Sequence, residues 1–282
     1  MQHYLNLLAD TVTTGEPAPD RTGTGIRSIF GPQLRFHLKT GFPMVTTRRI
    51  SWRVVTEELF WMLRGSTMIQ QLNEKGVHIW DAWADEKGGL GPIYGAQWRA
   101  WRPNQPVLDS GPVRVRPIDQ IANVLRTLKT DPYSRRMVVS AWNPADMHLM
   151  RLPPCHLLFQ LYVRQGRLSM QVYQRSADLF IGVPHNLAEY ALLTHLFARD
   201  AGLEPGELVW TAGDAHVYEN HLTAINAQLS RSPRTLPTLR FADDAPQSLM
   251  ELIALCGRQQ VDELIWLEGY NPHPKITAPV AV

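Results

Sequence analysis

The 282 residues suffice for one large domain or two small ones, and at that length folding buries roughly 75% of the extended chain's surface. Hydrophobic residues make up 44% and charged residues 19%, an ordinary soluble composition, and a formal net charge of +2 is too small for a nucleic-acid coat or a membrane-surface mode. Neither DNA nor a membrane is therefore expected as a partner. No apolar run approaches the ~20 residues that cross a bilayer, and the opening MQHYLNLLADTVTTG lacks a secretory pattern. Two cysteines, Cys155 and Cys256, make neither a disulfide framework nor a Cys-rich zinc site. The expectation is a cytoplasmic protein with reduced thiols.

In chain order, Leu5, Leu8 and Val12 fall near helical spacing within residues 3–14, and a tight polar loop, DRTGTG, follows at 20–25. Ile26–Leu38 alternates as a strand or hairpin does. Residues 52–63, WRVVTEELFWML, read as a largely buried helix, apolar apart from Arg53, Thr56 and the pair Glu57-Glu58. Four prolines make 102–117 a surface loop, and Ile118, Ile121, Leu125 and Leu128 then predict a helix that Asp131-Pro132 ends. Residues 137–142, 156–163 and 167–174 read as strands, and Pro184 suits the first turn of a helix running through Leu196. This order is α+β rather than a regular alternation, and no linker divides the chain.

Cys155, in LPPCHLL, is the residue with the most chemistry to offer. A lone cysteine is more often a small buried hydrophobe than a nucleophile. Attack needs the thiolate, and a thiolate needs positive charge nearby. Arg175 and the pair Arg135-Arg136 are the candidates, and an arginine cluster is also what a phosphate dianion requires. No His/Cys/Asp grouping has ligand spacing, so no metal is expected.

Several segments together decide between these readings. The chain carries DRTGTG at 20–25, GFPMVTTRR at 41–49, IWDAWADE at 79–86 and LGPIYGAQWR at 90–99. It continues with DPYSRRMVVSAWNP at 131–144, PPCH at 153–156, YQRSADLFIGVPHN at 173–186, AGDAHVY at 212–218 and GYNPHPKITAPVAV at 269–282. In this order and at these intervals the set resembles the thymidylate synthase family nearly end to end. The resemblance implies one α+β domain over 1–282 with a large mixed sheet, a variable insertion at about 102–117, and a sheet face used for dimerisation.

It also implies roles. Cys155 resembles the nucleophile that adds to carbon 6 of deoxyuridine monophosphate (dUMP), which makes carbon 5 nucleophilic toward a one-carbon unit carried by 5,10-methylenetetrahydrofolate. Arg175, Arg21, Gln174 and Ser176 look like substrate ligands, mostly at the phosphate, and Arg135 and Arg136 match arginines given across a homodimer interface to the other subunit's phosphate. Asn186 matches the reader of the pyrimidine edge; relatives acting on cytosine carry aspartate there. His216 and Tyr218 resemble the pair on the sugar 3′-hydroxyl. Glu58 and Tyr94 match the groups that handle water and the carbon 5 proton. Ile79, Trp80, Trp83, Asp178, Gly182, His185 and Ala281 are implied along the reduced folate, with the tail 279–282 closing over it.

Two departures stand out. His185 replaces a usual phenylalanine, and Glu189 a usual small residue. On a helix these positions share a face, so imidazole and carboxylate could pair. Such a pair could deliver water to the methylene intermediate, turning methylation into hydroxymethylation. Against this stands simple stacking by His185, with Trp80 and the tail unaltered. Ala212 replaces a usual glycine in what reads as a loop before Asp214, and Ile50 stands where some relatives have a second cysteine. A non-catalytic nucleotide or RNA-binding regulator is the remaining alternative, which the full catalytic set disfavours.

Overall fold

The computed structural model describes residues 1–102 and 116–280, with short paired segments between. The chain begins with α1 (Gln2–Thr14), β1 (Glu16–Ala18), β2 (Ile26–Phe30) and β3 (Gln33–His37). Three helices follow, α2 (Trp52–Leu63), α3 (Gln70–Asn73) and α4 (Tyr94–Ala100). The expected loop at 102–117 holds a two-residue antiparallel pair, β4 (Val107–Leu108) with β5 (Gly111–Pro112); its other residues between 103 and 115 lie outside the described residues. Next come α5 (Gln120–Thr130), β6 (Val138–Ser140), β7 (His156–Arg164), β8 (Arg167–Asp178), α6 (Gly182–Asp200) and β9 (Glu204–Tyr218). The remainder is α7 (Leu222–Leu229), β10 (Thr238–Phe241), α8 (Leu249–Cys256) and β11 (Ile265–Glu268).

One large mixed sheet organises these elements in the order β1-β2-β9-β8-β7-β6, with β3 also on β9. Among the described residues only β8 and β9 pair in parallel. Ile26–Leu38 is neither a continuous strand nor a hairpin: β2 and β3 lie end to end along β9 and do not pair with each other. Ile26 faces Tyr218 and Gln33 faces Thr211. Gly31, at φ 79°, and Pro32 make the step between them, while Gly31 N–H still donates to Gly213 O at 2.8 Å. Ala212 is likewise a correction, since it is a buried residue inside β9 and not part of a loop.

Local chemistry sets the helix starts. Ser51 caps α2 by accepting from Val54 N–H, and Asp119 caps α5 by accepting from Ala122 N–H. The apolar side of α2 (Val55, Leu59, Phe60) packs with α6, whose buried Leu187, Ala191 and Leu192 cover the inner face of β8 and β9. Each such large side chain contributes about 1.5–3 kcal/mol on burial. Alternation in β7 buries Phe159, Leu161 and Val163 and leaves Leu158 and Tyr162 exposed on the other face. Among the described residues no helix is long and apolar enough to cross a membrane.

The parallel pair fixes where chemistry can happen. Ser176 lies opposite Asp214 and Asp178 opposite His216, so the last turns of β8 and β9 emerge side by side, and α6 starts just beyond.

Candidate active site

A cavity of about 500 Å³ opens at that place. Cys155 lines it, together with Arg175, Tyr94, Asn186, Glu58 and Asp178. Cys155 is half-buried in the turn before β7. Three bonds tie that turn to β8. Arg175 N–H donates to Cys155 O at 2.8 Å, and the Arg175 guanidinium donates to Pro154 O and Pro153 O, each at 2.9 Å. The two prolines thus present their carbonyls to the cation that stands beside the thiol.

Burial pushes the Cys155 thiol up, while the Arg175 charge and a hydrogen bond from Tyr94 pull it back. Cys155 N–H donates to the Tyr94 hydroxyl at 2.7 Å. Tyr94 itself stacks on His156 with ring centroids 4.2 Å apart, and His156 Nδ1 meets Tyr190 Oη at 2.6 Å. Burial holds His156 neutral, with its pKa pushed down to about 3. Sequence reasoning quoted His156 within PPCH without giving it this supporting task.

The two glutamates of α2 part company. Glu57 is fully buried and accepts from Val261 N–H at 2.9 Å, away from the cavity. Glu58 lines the cavity and accepts from Trp80 Nε1–H at 2.8 Å. Burial raises the Glu58 carboxyl above the usual range.

On β8, Gln174 and Ser176 line the cavity, and Gln174 Nε2–H donates to Asn186 Oδ1 at 3.1 Å. Asp178 uses one oxygen to accept from Phe180 N–H (2.9 Å) and Ile181 N–H (3.0 Å), in the turn just before α6. On β9, Asp214, His216 and Tyr218 line the cavity, with His216 Nδ1 3.1 Å from Asp214 Oδ1. Arg21 reaches the cavity from the DRTGTG loop, where Asp20 accepts from the backbone N–H groups of Thr22 and Gly25, each at 2.8 Å. Trp80, Trp83, Gly182 and Val280 complete it, and the tail is anchored where His221 Nε2 meets Pro279 O at 2.7 Å.

Four expected residues lie apart from the cavity. Ile79 and His185 do not line it, and Arg135 and Arg136 are exposed elsewhere on the chain. Ala281 lies outside the described residues. The His185–Glu189 pair is overturned. His185 Nδ1–H donates to Ile181 O at 2.9 Å, one turn back, and Glu189 Oε2 accepts from Asn186 Nδ2–H at 3.1 Å. Apolar lining residues outside every motif, missed by the sequence reading, are Pro19, Ile26 and Leu152, which no pattern marks.

The family described as "Thymidylate synthase" matches residues 2–282. The chain belongs to the thymidylate synthase family. That family consists of folate-dependent one-carbon transferases that bind dUMP and use 5,10-methylenetetrahydrofolate as co-substrate. The match covers the whole run from α1 to the tail, so each cavity-lining segment above falls inside it. Among the described residues no three His, Cys, Asp or Glu side chains stand together as a metal site would require.

Proposed function

We propose that this protein reductively methylates dUMP to dTMP, with 5,10-methylenetetrahydrofolate as donor and Cys155 as the covalent nucleophile. The observation that carries the reading is a half-buried thiol beside Arg175 and Tyr94, in one cavity with the Asn186 amide.

Cys155 adds to carbon 6 of the uracil, and the displaced electron pair makes carbon 5 the nucleophile. Arg175, Arg21 and Ser176 hold the phosphate, so the same cation serves both thiolate and substrate. Asn186 still has one amide N–H and one carbonyl lone pair for the ring after its bonds to Gln174 and Glu189, which matches the uracil O4 and N3–H. His216 and Tyr218 take the sugar hydroxyl. Glu58, fixed by Trp80, moves protons through water, and Tyr94 assists loss of the carbon 5 proton.

The residues present fit a reduced folate: the rings of Trp80 and Trp83, 5.8 Å apart, offer apolar surface, and Asp178 keeps a carboxylate oxygen for a ring N–H. Bound there, methylenetetrahydrofolate supplies the one-carbon unit and the hydride. Gly182 permits close approach, and the tail around Val280 excludes water. Arg135 and Arg136, exposed and away from their own cavity, suit donation to a second copy in a homodimer. The exposed Leu158 and Tyr162 on the open face of β7 suit the same contact. Both cysteines are free, which suits the reducing cytoplasm, where we place the reaction.

Hydroxymethylation is the weaker reading, because the base it leaned on is not formed: His185 and Glu189 have other partners. The test is incubation with dUMP and methylenetetrahydrofolate, following dihydrofolate by absorbance and product by mass. Stoichiometric dihydrofolate with a product one methyl group heavier supports the proposal. A hydroxymethyl product without dihydrofolate overturns it. Trapping with 5-fluoro-dUMP plus folate separates enzyme from passive binder, since only a nucleophilic Cys155 forms the adduct.

A further inference from the structure

Glu189 is 1% exposed, and its Oε1 has no hydrogen-bond partner among conventional donors. Its other oxygen, Oε2, accepts from Asn186 Nδ2–H at 3.1 Å. An unpaired oxygen on a buried carboxylate is costly, whereas a protonated oxygen needs only an acceptor. The Glu58 carboxylate stands within hydrogen-bonding reach as that acceptor. Burial and the Glu58 charge both push the Glu189 carboxyl well above the usual range.

The direction of each indole and amide bond in this row is forced. At one end Trp210 Nε1–H, which can only donate, gives to Gln174 Oε1 at 2.9 Å. Gln174 must then present Nε2, whose two hydrogens go to Ser176 O and Asn186 Oδ1, each at 3.1 Å. Asn186 is thereby fixed with Oδ1 toward Gln174 and Nδ2 toward Glu189. At the other end Trp80 Nε1–H, again only a donor, gives to Glu58 Oε1 at 2.8 Å. A single proton shared between the two carboxyls completes the row.

An unrestrained asparagine is an ambiguous reader. In one orientation its amide accepts from uracil N3–H and donates to O4. Turned over, it donates to cytosine N3 and accepts from the 4-amino group. We propose that Glu189 is a positioning residue that holds Asn186 in the uracil-reading orientation and so sets preference for uracil over cytosine nucleotides. Turning the amide over would bring Asn186 Oδ1 against Glu189 Oε2 and its NH₂ against Gln174 Nε2, losing both bonds. The lock rests on the proposed pyrimidine site and adds to it a residue that touches no substrate.

The test is the ratio of dUMP to dCMP affinity, by calorimetry, for the wild-type chain and for Glu189→Gln, Glu189→Leu and Glu189→Ala, with the thermal midpoint of each recorded. Glutamine repeats the acid's pattern, accepting from Asn186 and donating to Glu58, and keeps the ratio within about twofold. Leucine preserves buried volume without the polar partner, and alanine removes both; each lowers the ratio about tenfold, the equivalent of one hydrogen bond. Two variants of different volume guard against one that does not fold. Unchanged selectivity in the folded Leu or Ala variant overturns the lock, as does a Gln variant as unselective as Leu. If the wild-type chain binds neither nucleotide, the pyrimidine site fails and the lock with it. If it prefers dUMP and the variants do equally, only the lock fails.

Discussion

The Tyr94 hydroxyl accepts from Cys155 N–H at 2.7 Å and opposes the rise that burial imposes on the thiol of the same residue. One oxygen thus fixes the backbone that carries the nucleophile and favours its charged form. Tyr94→Phe removes both effects. The cycle slows by about 10²-fold, the scale of a lost acid–base group. Stability falls by about 1–3 kcal/mol, because Cys155 N–H loses its acceptor. Steady-state rates and thermal melts check the two parts separately.

Arg175 opposes the rise in the Cys155 pKa that burial imposes. A positive charge favours the thiolate, so Arg175→Gln moves ionisation to higher pH. The readout is the pH dependence of iodoacetamide alkylation at Cys155. Cys256 serves as an internal blank, being buried, with its thiol pushed up to about 12.

Acid sensitivity is built into the helix that starts at the cavity. Burial pushes His195 down from 6.5 to about 4, and its Nε2 has no partner. Between those values the unfolded chain binds a proton that the folded chain refuses. Stability from this group is therefore complete above pH 6.5 and drains away as pH falls toward 4. His156, at about 3, and His185, at about 4, act in the same sense. His195→Leu flattens the fall of the melting temperature below pH 6.5. A slope equal to wild type would contradict this assignment.

His185 stands outside the cavity lining, held by Ile181 O at 2.9 Å. His185→Phe is expected to leave product identity and turnover unchanged, measured by product mass and dihydrofolate formation. A switch in product would restore the water-activation idea.

How much of this was readable beforehand depends on the residue. The α2 helix was legible at both ends, because its apolar run is long and bounded by Ser51 and Arg64. The β7–β8 pair was legible from alternation, though β8 runs on through Asp178, where polar functional residues break the pattern. The central strand β9 was not. Pro205, Gly206 and Gly213 interrupt EPGELVWTAGDAHVY, and only pairing on both sides makes it a strand. Most of the cavity's polar lining was legible through motifs, because DRTGTG, IWDAWADE, LGPIYGAQWR, PPCH, YQRSADLFIGVPHN, AGDAHVY and the tail each supply lining residues, whereas GFPMVTTRR and DPYSRRMVVSAWNP supply none. The Glu189 contact was misread for a physical reason. Helical spacing puts His185 within reach, but a buried acid takes the partners that satisfy it best: Asn186 three residues back, and Glu58 across from α2.

The pairing of β2 and β3 with β9 also sets a timetable. Ile26 waits for Tyr218 and Gln33 for Thr211, so strands made early in synthesis stay unpartnered on that side until most of the chain has left the ribosome. The cavity needs those same late contacts, because Asp214, His216 and Tyr218 all lie on β9. A nascent chain can therefore collapse its helices long before it can bind a nucleotide. Ribosome-stalled chains ending before β9 should be captured by chaperones through the open edge of β2, and release should coincide with the first ability to bind ligand.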